Sequence, residues 1–500
     1  MGNYKDLKSG SDVRGFASDI FGNTVNLTDQ AVFDITAAFV LFLSKKSGKN
    51  ADSLTVSVGH DSRITAEKIK TKVIEALVSA GVSVLDCGLS STPSMFMTTV
   101  KKGCDGAVQI TASHHPADRN GLKFFLPSGG LDSSDIAEII ENANCGKTAP
   151  KANGNVTKVD FMTEYSAILR KIICDELGVT EEEQPLKNYH IVVDAGNGAG
   201  GFYADNVLKK LGADTSGSVY LEPDGMFPNH IPNPENAKAM ESIQNAVLSS
   251  KADLGVIFDT DVDRAGCVDS TGVEINRNRL IALSAAIALE KEPGSTIVTD
   301  SVTSSGLKTF IETNLGGKHH RFKRGYKNVI NEAVRLCGEG TNAPLAIETS
   351  GHAALKENYF LDDGAYLVTK IIIKMAKLGA EGKSISDLTA DLKVPEEAEE
   401  LRFNIETEDF RAYGEKVIAD LENWCKQKSG FIIADDNREG LRVSIDDGWF
   451  LLRLSVHDPV MPMNIESDSK GGVRKILEEI SEFFYAQDLL DTSALKNFLK

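Results

Sequence analysis

Residues 106–116 read GAVQITASHHP: a short, mostly apolar run followed at once by a loop of hydroxyl and imidazole side chains. The segments LGVIFDTDVDR (254–264) and LAIETSGH (345–352) have the same order, and each follows similar strand and helix patterns. Apolar runs of this length that alternate with amphipathic stretches are typical of α/β sheets. Because ligands bind at the carboxyl ends of parallel strands, the pattern predicts three similar α/β domains with mixed sheets and three polar loops around a central cleft.

Composition changes along the chain indicate where these domains begin and end. The Gly-, Asn- and Lys-rich stretch 142–160 is typical of a linker. Near the carboxyl end, two predicted strands, a helix and a hairpin with an Asp-Gly turn favour a smaller α+β domain. We therefore expect four domains, at 1–155, 156–272, 273–392 and 393–500.

Composition and charge limit the partners of this chain. It has 500 residues and a formal net charge of −18, and 41% of its residues are hydrophobic. An acidic balance of this size argues against nucleic acid, because a phosphate backbone demands a basic surface. No apolar run is long enough to cross a bilayer, and seven scattered cysteines without a CxxC pair fit a reducing compartment. We expect a cytoplasmic protein without membrane association, as a monomer or a small homo-oligomer.

The first polar loop contains a candidate nucleophile. Ser113 lies just past a predicted strand, beside His114 and ten residues before Lys123. A serine flanked by groups that can move protons is able to act in covalent catalysis. A lone serine in such a place is more often a turn residue, and a GxSxG elbow is absent. On its own, the loop leaves both interpretations open.

The second polar loop contains a candidate cation site. Asp259, Asp261 and Asp263 alternate along it, so their carboxylates can converge on a hard divalent cation. An EF-hand would need Gly and Glu at its sixth and twelfth positions, where Arg264 and Ser270 stand. A solvated acidic turn is the alternative. With so few protein ligands, Mg²⁺ that shares a phosphate oxygen is the favoured interpretation.

A competing motif lies between these loops. Gly196, Gly198 and Gly201 have the G-x-G-x-x-G spacing of a dinucleotide-binding turn, and Glu222 follows the next predicted strand. This spacing would indicate a nicotinamide-dependent oxidoreductase. The Ser and Asp loops would have no role in hydride transfer, so the oxidoreductase is kept as the alternative function.

Taken together, the loops resemble those of the α-D-phosphohexomutase superfamily of phosphoglucomutases and phosphomannomutases. TASHHP is similar to the family's TASHNP, DTDVDR to DGDxDR, and ETSGH to GExSGH. SDVRG (11–15) and DDG (362–364) match two further motifs of the family. The resemblance covers nearly the whole chain and implies the four-domain order.

The resemblance implies an enzyme that interconverts hexose 1-phosphate and hexose 6-phosphate, for glucose and/or mannose. The phosphoryl group would be carried by Ser113, and hexose 1,6-bisphosphate would be both intermediate and activator. Mg²⁺ would be held by an oxygen of phosphorylated Ser113 and by Asp259, Asp261 and Asp263. His114 and Lys123 would transfer protons, and Arg14 and Arg264 would neutralise phosphate charge.

The expected partner is therefore a small sugar phosphate. The substrate-binding residues that the resemblance implies are Lys323, Arg324, Glu348, Ser350, His352, Arg453, Ser455 and His457. The loop 453–462 departs from the family pattern, since Pro462 stands where a second Arg is usual. His457, Arg324 and Lys327 are expected to supply the missing positive charge. A sugar-phosphate-binding regulator without activity is a further hypothesis, against which the intact Ser and Asp loops argue.

Overall fold

A computed structural model describes residues 3–455 and 458–500 of the chain. The chain forms two compact units, and neither is continuous in sequence. The first unit extends to Ile287 and adds Ser350–Leu388, whereas the second unit comprises Ala288–Thr349 and Thr389–Lys500. The chain passes from the first unit to the second within one helix, α7 (Arg277–Lys291).

The largest sheet of the first unit has eight strands and is mixed. Its strands are β1 (Lys8–Ser9), β2 (Asp12–Phe16), β3 (Thr55–His60), β4 (Ser83–Leu89), β5 (Gly106–Ile110), β6 (Arg119–Leu126), β7 (Gly129–Gly130) and β8 (Asn155–Lys158). The order is β1-β2-β6-β5-β3-β4-β8, with β7 paired to β6. β3 is parallel to β4 and β5, and β6 is antiparallel to β5. The loop with Ser113 thus begins at the carboxyl end of a fully buried central strand, β5.

Helices bury the apolar side chains of this sheet. They are α1 (Asp29–Ser47), α2 (Ala66–Ser79), α3 (Thr92–Lys101) and α4 (Ser133–Asn144). Thr28 caps α1, because its side chain accepts a hydrogen bond from the backbone N–H of Ala31. Phe39 of α1 packs with Val108 and Phe124 of the sheet in one hydrophobic core. This core holds β5 and β6 rigidly beneath the polar loop that joins them.

The stretch 142–160 is not a simple linker, so this part of the sequence interpretation is wrong. Helix α4 extends to Asn144, and β8 pairs in parallel with β4. All four side chains of β8 are exposed, and α5 (Phe161–Leu177) follows. Because β8 joins the sheet mainly through its backbone and buries none of its side chains, its composition gave no strand signal.

A second sheet of the first unit holds the Asp loop. Its strands are β9 (Ile191–Asp194), β10 (Leu254–Phe258), β11 (Ala265–Asp269) and β12 (Glu274–Ile275), in the order β12-β11-β10-β9. β10 is parallel to β9 and antiparallel to β11. Helix α6 (Ala237–Ser250) packs on it through Ile243 and Val247. Residues 259–264 therefore connect two fully buried strands, β10 and β11.

The strand that the sequence predicts next to Glu222 does not form a regular strand. Val219 makes only an isolated bridge with Asp194, and Tyr220 has a positive φ of 51°. The left-handed backbone conformation of Tyr220 ends regular strand pairing at this point. The amino-acid pattern alone did not reveal this conformation.

The first unit is completed by an antiparallel pair, β16 (Ala353–Leu355) and β17 (Leu361–Asp362), and by α10 (Gly364–Ala380). Asp363 caps α10 and accepts hydrogen bonds from the buried hydroxyl of Tyr165 at 2.7 Å. Gly364 is required here, since a Cβ would lie 2.7 Å from the carbonyl carbon of Arg264. The later part of the first unit, Ser350–Leu388 (the returning segment), thus packs directly on the end of the Asp loop.

The second unit contains three parallel strands and a separate antiparallel sheet. The parallel strands, in the order β14-β13-β15, are β13 (Thr296–Thr299), β14 (Lys318–Arg321) and β15 (Leu345–Ile347). The short helix α8 (Ser305–Thr309) and the helix α9 (Tyr326–Gly338) connect them. As in the first unit, the polar segment with Glu348 begins where a buried strand, β15, ends.

The antiparallel sheet has five strands in the order β18-β22-β21-β20-β19. They are β18 (Glu397–Asn404), β19 (Ile432–Ile433), β20 (Leu441–Ile445), β21 (Gly448–Leu452) and β22 (Val460–Ser467), with helices α11 (Phe410–Cys425), α12 (Gly472–Tyr485) and α13 (Ser493–Leu499). Phe403, Phe450 and Phe484 lie in their common core. The predicted fold class, α/β with mixed sheets and a C-terminal α+β part, is confirmed. The four domain boundaries stay predictions.

Among the described residues, no helix combines the length and the apolar character that a membrane-spanning segment requires.

A buried ion pair joins the loop before α6 to the end of β9. His230 Nε2 lies 3.0 Å from both carboxylate oxygens of Asp194, and the Ser242 hydroxyl donates to the same carboxylate at 2.7 Å. Burial lowers the pKa of His230, but the hydrogen bond and charge of Asp194 outweigh it and raise the pKa above its usual value. The pair holds the segment that contains Asn233, which accepts a hydrogen bond from Arg264 at 3.3 Å.

We expect His230→Gln to lower the melting temperature more at about pH 5.5 than at about pH 8.5. Because the folded-state pKa is above that of the unfolded chain, the added stability is fully present below about pH 6.5 and is lost as the pH rises through the folded-state pKa. At the lower pH, removing one partner of this pair costs about 3–5 kcal/mol. Thermal melts of both proteins at both pH values measure the effect. An equal difference at the two pH values would contradict it.

Candidate active site

Ser113 is held in an unusual backbone conformation, with a φ of 49°. It is 3% exposed. Its hydroxyl donates to Asp259 Oδ2 at 2.9 Å and accepts from Arg264 Nη2 at 2.9 Å. Its backbone N–H donates to the Thr111 hydroxyl at 2.9 Å. A serine in this strained conformation, whose oxygen faces a carboxylate and a guanidinium group, is typical of a functional site rather than of a plain turn.

The three aspartates of the second loop converge as the sequence predicts. Asp259, Asp261 and Asp263 are fully buried, and one oxygen of each lies within 4.8 Å of the other two. Val262 has a φ of 66°, which a β-branched residue rarely adopts. Within the described part of the chain, one oxygen of Asp261 and one of Asp263 have no hydrogen-bond partner. Buried carboxylate oxygens without partners fit a hard divalent cation.

Cationic side chains offset part of this negative charge. Lys123 forms an ion pair with Asp263, and its Nζ lies 3.6 Å from Asp261. Arg264 Nη2 lies 3.1 Å from Asp259. Burial, together with the charges of the other two aspartates, raises the pKa of Asp259 above its usual range. Burial also acts to raise the pKa of Asp263, but Lys123, His352 and Arg264 outweigh it and hold that pKa low.

His114 and Arg14 lie beside the serine loop. His114 Nδ1 is 3.3 Å from Ser113 Oγ and accepts a hydrogen bond from Arg264. Burial and the nearby arginines lower the pKa of His114 to about 2, so its ring is neutral at physiological pH. Arg14 donates to Asp12 at 2.8 Å and to the Ala112 carbonyl at 3.3 Å. The structure thus brings all candidate residues from the first two loops into one cluster.

The third loop is divided between the two units. Ser350 and His352 belong to the first unit, whereas Glu348 belongs to the second. His352 Nδ1 lies 2.5 Å from Asp362 and 3.9 Å from Asp263. Burial disfavours its charge, but Asp362 and Asp263 raise the pKa of His352 to about 9. His352 therefore adds a positive charge next to the three aspartates.

The other candidate residues lie in the second unit. Glu348 accepts a hydrogen bond from the backbone N–H of Gly325 at 2.6 Å, and Glu439 accepts one from that of Arg324 at 2.9 Å. Both carboxylates thus hold the loop of Arg324, on which Lys323 is exposed.

Arg453 is buried without a hydrogen-bonded partner at Nε among the described residues, and it is 9% exposed. Burial and the positive charge of Arg324 lower its pKa. The Ser455 hydroxyl accepts from the backbone N–H of Asp458 at 3.3 Å. His457 lies outside the described residues. Two neighbouring guanidinium groups, one of them with an unsatisfied donor, favour an anionic ligand in this unit.

Three residues that contact the site were missed from the sequence. Thr92 donates to Asp261 Oδ2 at 2.5 Å and, through its backbone N–H, to the Asp261 carbonyl at 2.8 Å. Arg63 binds the backbone of the Ser113 loop, and Asp61 pairs with Arg63. All three follow the carboxyl ends of β3 and β4 (HDSR and SSTP), so the rule used for the other loops would have found them.

The glycine motif at 196–201 serves close packing of the backbone. A Cβ on Gly198 would lie 2.6 Å from the Thr260 carbonyl oxygen, and one on Gly201 would lie 2.3 Å from that of Leu221. Glu222 is exposed. Protein backbone therefore fills the space that a pyrophosphate would need at Gly198 and Gly201. The oxidoreductase alternative is not supported.

Comparison with known proteins finds similarity along most of the chain. Three family models match the chain: "Phosphoglucomutase/phosphomannomutase, alpha/beta/alpha domain I" at 7–148, domain II at 169–272 and domain III at 276–394. A phosphomannomutase/phosphoglucomutase of Pseudomonas aeruginosa is 31% identical over 425 residues, 84% of this chain and 85% of that protein. A phosphoglucomutase/phosphomannomutase of Thermococcus kodakarensis is 31% identical over 472 residues, 93% and 95% of the two chains.

Solved structures share the fold. A phosphoglucomutase/phosphomannomutase family protein from Burkholderia thailandensis has a TM-score of 0.78 at 24% identity, over 96% of this chain and 97% of that one. Parafusin from Paramecium has a TM-score of 0.74 at 16% identity, over 97% and 96%. At these identities the likeness concerns the fold alone.

We expect Mg²⁺ or Mn²⁺ to raise the melting temperature of the protein and EDTA to reverse the change. A cation that binds only the folded state at 100 times its Kd adds about 2.7 kcal/mol of stability. Asp261→Asn should remove most of the shift, because it replaces a carboxylate whose oxygen is unpartnered within the described chain. Asp205→Asn, at an exposed carboxylate paired with Lys209, is the matched control. A full shift in Asp261→Asn would place the cation elsewhere.

Proposed function

Because this chain belongs to the phosphoglucomutase/phosphomannomutase family and is a mutase, we propose that it interconverts the 1- and 6-phosphates of a hexose, glucose and/or mannose, with Ser113 as phosphoryl carrier. One observation carries the assignment of Ser113. Its hydroxyl oxygen lies within 2.9 Å of both Asp259 and Arg264, in the only strained position of its loop among the described residues 111–118. That oxygen is where a phosphoryl group would be attached and released.

The reaction proceeds in two transfers. A free hydroxyl of the sugar phosphate attacks the phosphorus on Ser113, so that a new O–P bond forms as the serine O–P bond breaks. The product of this step is a hexose 1,6-bisphosphate, which returns its other phosphoryl group to Ser113. The bisphosphate also acts as activator, because it phosphorylates any serine that has lost its phosphate. Arg264, which donates to the serine oxygen, stabilises the charge that develops there.

Asp259, Asp261 and Asp263 would hold Mg²⁺ together with an oxygen of the phosphoserine, since this family implies a metal-dependent enzyme and these buried oxygens suit a hard cation. When bound, the ion would neutralise charge on the phosphoryl oxygens, which phosphoryl transfer needs more than covalent help. Lys123 keeps Asp263 in place through its ion pair, and Thr92 does the same for Asp261.

His114 and Lys123 move the protons. His114 is assigned to the transfer of the attacking hydroxyl's proton because its Nδ1 lies 3.3 Å from Ser113 Oγ. The Lys123 ammonium beside Asp263 is able to return a proton to the departing oxygen. Arg14, which donates to the Ala112 carbonyl at 3.3 Å, adds positive charge near the phosphoryl group.

The remaining candidates bind the substrate. The non-reacting phosphate would be bound by Lys323, Arg324, Arg453, Ser455 and His457, and the sugar hydroxyls by Glu348 and Ser350. His352 would support the sugar loop through its ion pair with Asp362. The support for the phosphate contact is the buried Arg453, which lies near a second arginine. A cytoplasmic location and a monomeric or small oligomeric state remain predictions from the sequence.

Ser113→Ala should lower turnover by several orders of magnitude, because the phosphoryl carrier is removed. Incubation with glucose 1,6-bisphosphate should add one phosphoryl group to the wild type and none to the variant, as measured by intact-protein mass spectrometry. Ser249→Ala changes an exposed serine near the end of a helix and should behave as the wild type. Near-normal mutase activity in Ser113→Ala would exclude the phosphoserine mechanism.

Arg453→Ala should raise KM about 10- to 100-fold, since a hydrogen bond to a charged group contributes about 1.5–3 kcal/mol. It should also lower kcat, because this phosphate helps to orient the reacting end of the substrate. Assays with glucose 1-phosphate, mannose 1-phosphate and amino-sugar phosphates measure both constants and identify the preferred sugar. Arg402→Ala, at an exposed residue paired with Glu400, is the control. If Arg453→Ala and Arg402→Ala have the same kinetics, the phosphate is bound elsewhere.

A further inference from the structure

Arg63 is a buried arginine of the first unit, and both terminal nitrogens of its side chain donate to one loop. It is 2% exposed and follows the end of β3. Its Nη2 donates to the carbonyl oxygens of Ser113 and His115, both at 2.5 Å. Its Nη1 donates to those of Pro116 at 2.7 Å and Arg119 at 2.8 Å. One guanidinium group therefore binds four carbonyls of the serine loop.

Asp61 fixes the position of Arg63. The backbone N–H of Arg63 donates to Asp61 Oδ1 at 2.9 Å, and Nε lies 3.4 Å from Oδ2. Both side chains are fully buried, and the backbone N–H of Asp61 donates to the Ile110 carbonyl at the end of β5. Burial raises the pKa of Asp61 to about 6, so the carboxylate is still charged at neutral pH and pairs with the guanidinium group.

The serine loop depends on this support because its own conformation is strained. Ser113 has a φ of 49°, and the next local bond, from the His115 N–H to the Ala112 carbonyl, is 3.2 Å long. The carbonyl of Ser113 is bound by Arg63 while its hydroxyl is bound by Asp259 and Arg264. Fixing the carbonyl of this residue therefore restricts where its hydroxyl oxygen points.

Arg63 also contacts the loop that supports Arg264. The ring of Phe227 lies over its guanidinium group at 5.3 Å. Later in the same loop, Asn233 accepts a hydrogen bond from Arg264, which in turn binds Ser113. The two arginines thus hold the serine from its backbone side and from its hydroxyl side.

We propose that Arg63 is a positioning residue for mutase chemistry: by holding four carbonyls of residues 113–119 it aims the Ser113 oxygen at the Asp259 side of the site. The inference rests on the proposed function of Ser113. Arg63 acts through the loop and not on the substrate. Its loss should therefore affect kcat far more than KM, because the residues assigned to substrate binding are unchanged.

The test compares Arg63→Ala and Arg63→Lys with Arg170→Ala and Arg170→Lys. Arg170 is a matched control, since it also donates to a carboxylate, Glu181 at 2.9 Å, and to a carbonyl, Asn206 at 2.6 Å. Arg63→Ala should lower kcat about 100-fold with KM changed less than about threefold, as expected when a reacting group is displaced by about 1 Å. Added free guanidinium should restore at least part of kcat in Arg63→Ala and none in Arg170→Ala.

Hydrogen exchange of the peptide that contains 111–119 supplies a readout independent of activity. We expect faster exchange in both Arg63 variants, reversal by guanidinium in Arg63→Ala, and no change in the Arg170 variants. If Arg63→Ala fails to fold, Arg63→Lys carries the test, because it keeps a charge beside Asp61 while it cannot bind four carbonyls at once.

Wild-type kcat in the Arg63 variants, or a lower kcat with unchanged loop exchange and no rescue, would overturn the proposal. Ser113→Ala separates this inference from the function on which it rests. If that variant keeps its activity, the phosphoserine mechanism fails, and the positioning role fails with it even where exchange shows that Arg63 orders the loop.

Discussion

Mutual repulsion of three buried carboxylates is the constraint on which this site depends. Asp259, Asp261 and Asp263 lie together and are fully buried, and such charges are costly unless partners offset them. The partners come from separate parts of the first unit: Lys123 from β6, Thr92 from the start of α3, and His352 from the returning segment. Because these side chains all contact the three aspartates, the ends of the strands that carry or precede them lie close together. The proposed active-site cluster is therefore also a structural junction of the unit.

Much of this junction could be predicted from the sequence, since a polar loop after an apolar run has a visible pattern. Ser113, Asp259 and Glu348 all follow the ends of buried strands, as expected. The same rule would have placed Arg63 near these loops, but its role could not be predicted, because its partners are backbone carbonyls and carbonyls have no sequence signature. The same limit applies to β8, which pairs through its backbone and exposes all of its side chains. Contacts between side chains can be predicted from residue types, whereas contacts to backbone carbonyls and N–H groups cannot, because every residue has these groups.

The glycine motif at 196–201 shows how a correct pattern can support a wrong function. Its spacing indicates close approach of the backbone to something, and a dinucleotide is only one possibility. Here the neighbour of Gly198 is the carbonyl of Thr260 in the loop that carries the aspartates. The motif thus contributes to the same site as the Ser and Asp loops, through packing rather than through ligand binding.

The order of segments along the chain determines when the contacts around the three aspartates can form during synthesis and folding. The Asp loop packs against Gly364, which belongs to a part of the first unit separated from it by residues 288–349. A nascent chain that has just left the ribosome up to Ile287 contains every aspartate of the cluster but lacks the segment that closes over Arg264. Contacts so distant in sequence form late and slow the folding of a protein. The acidic cluster is therefore completed only after residues 350–364 have been synthesised, and until then the charges of its loop are only partly offset.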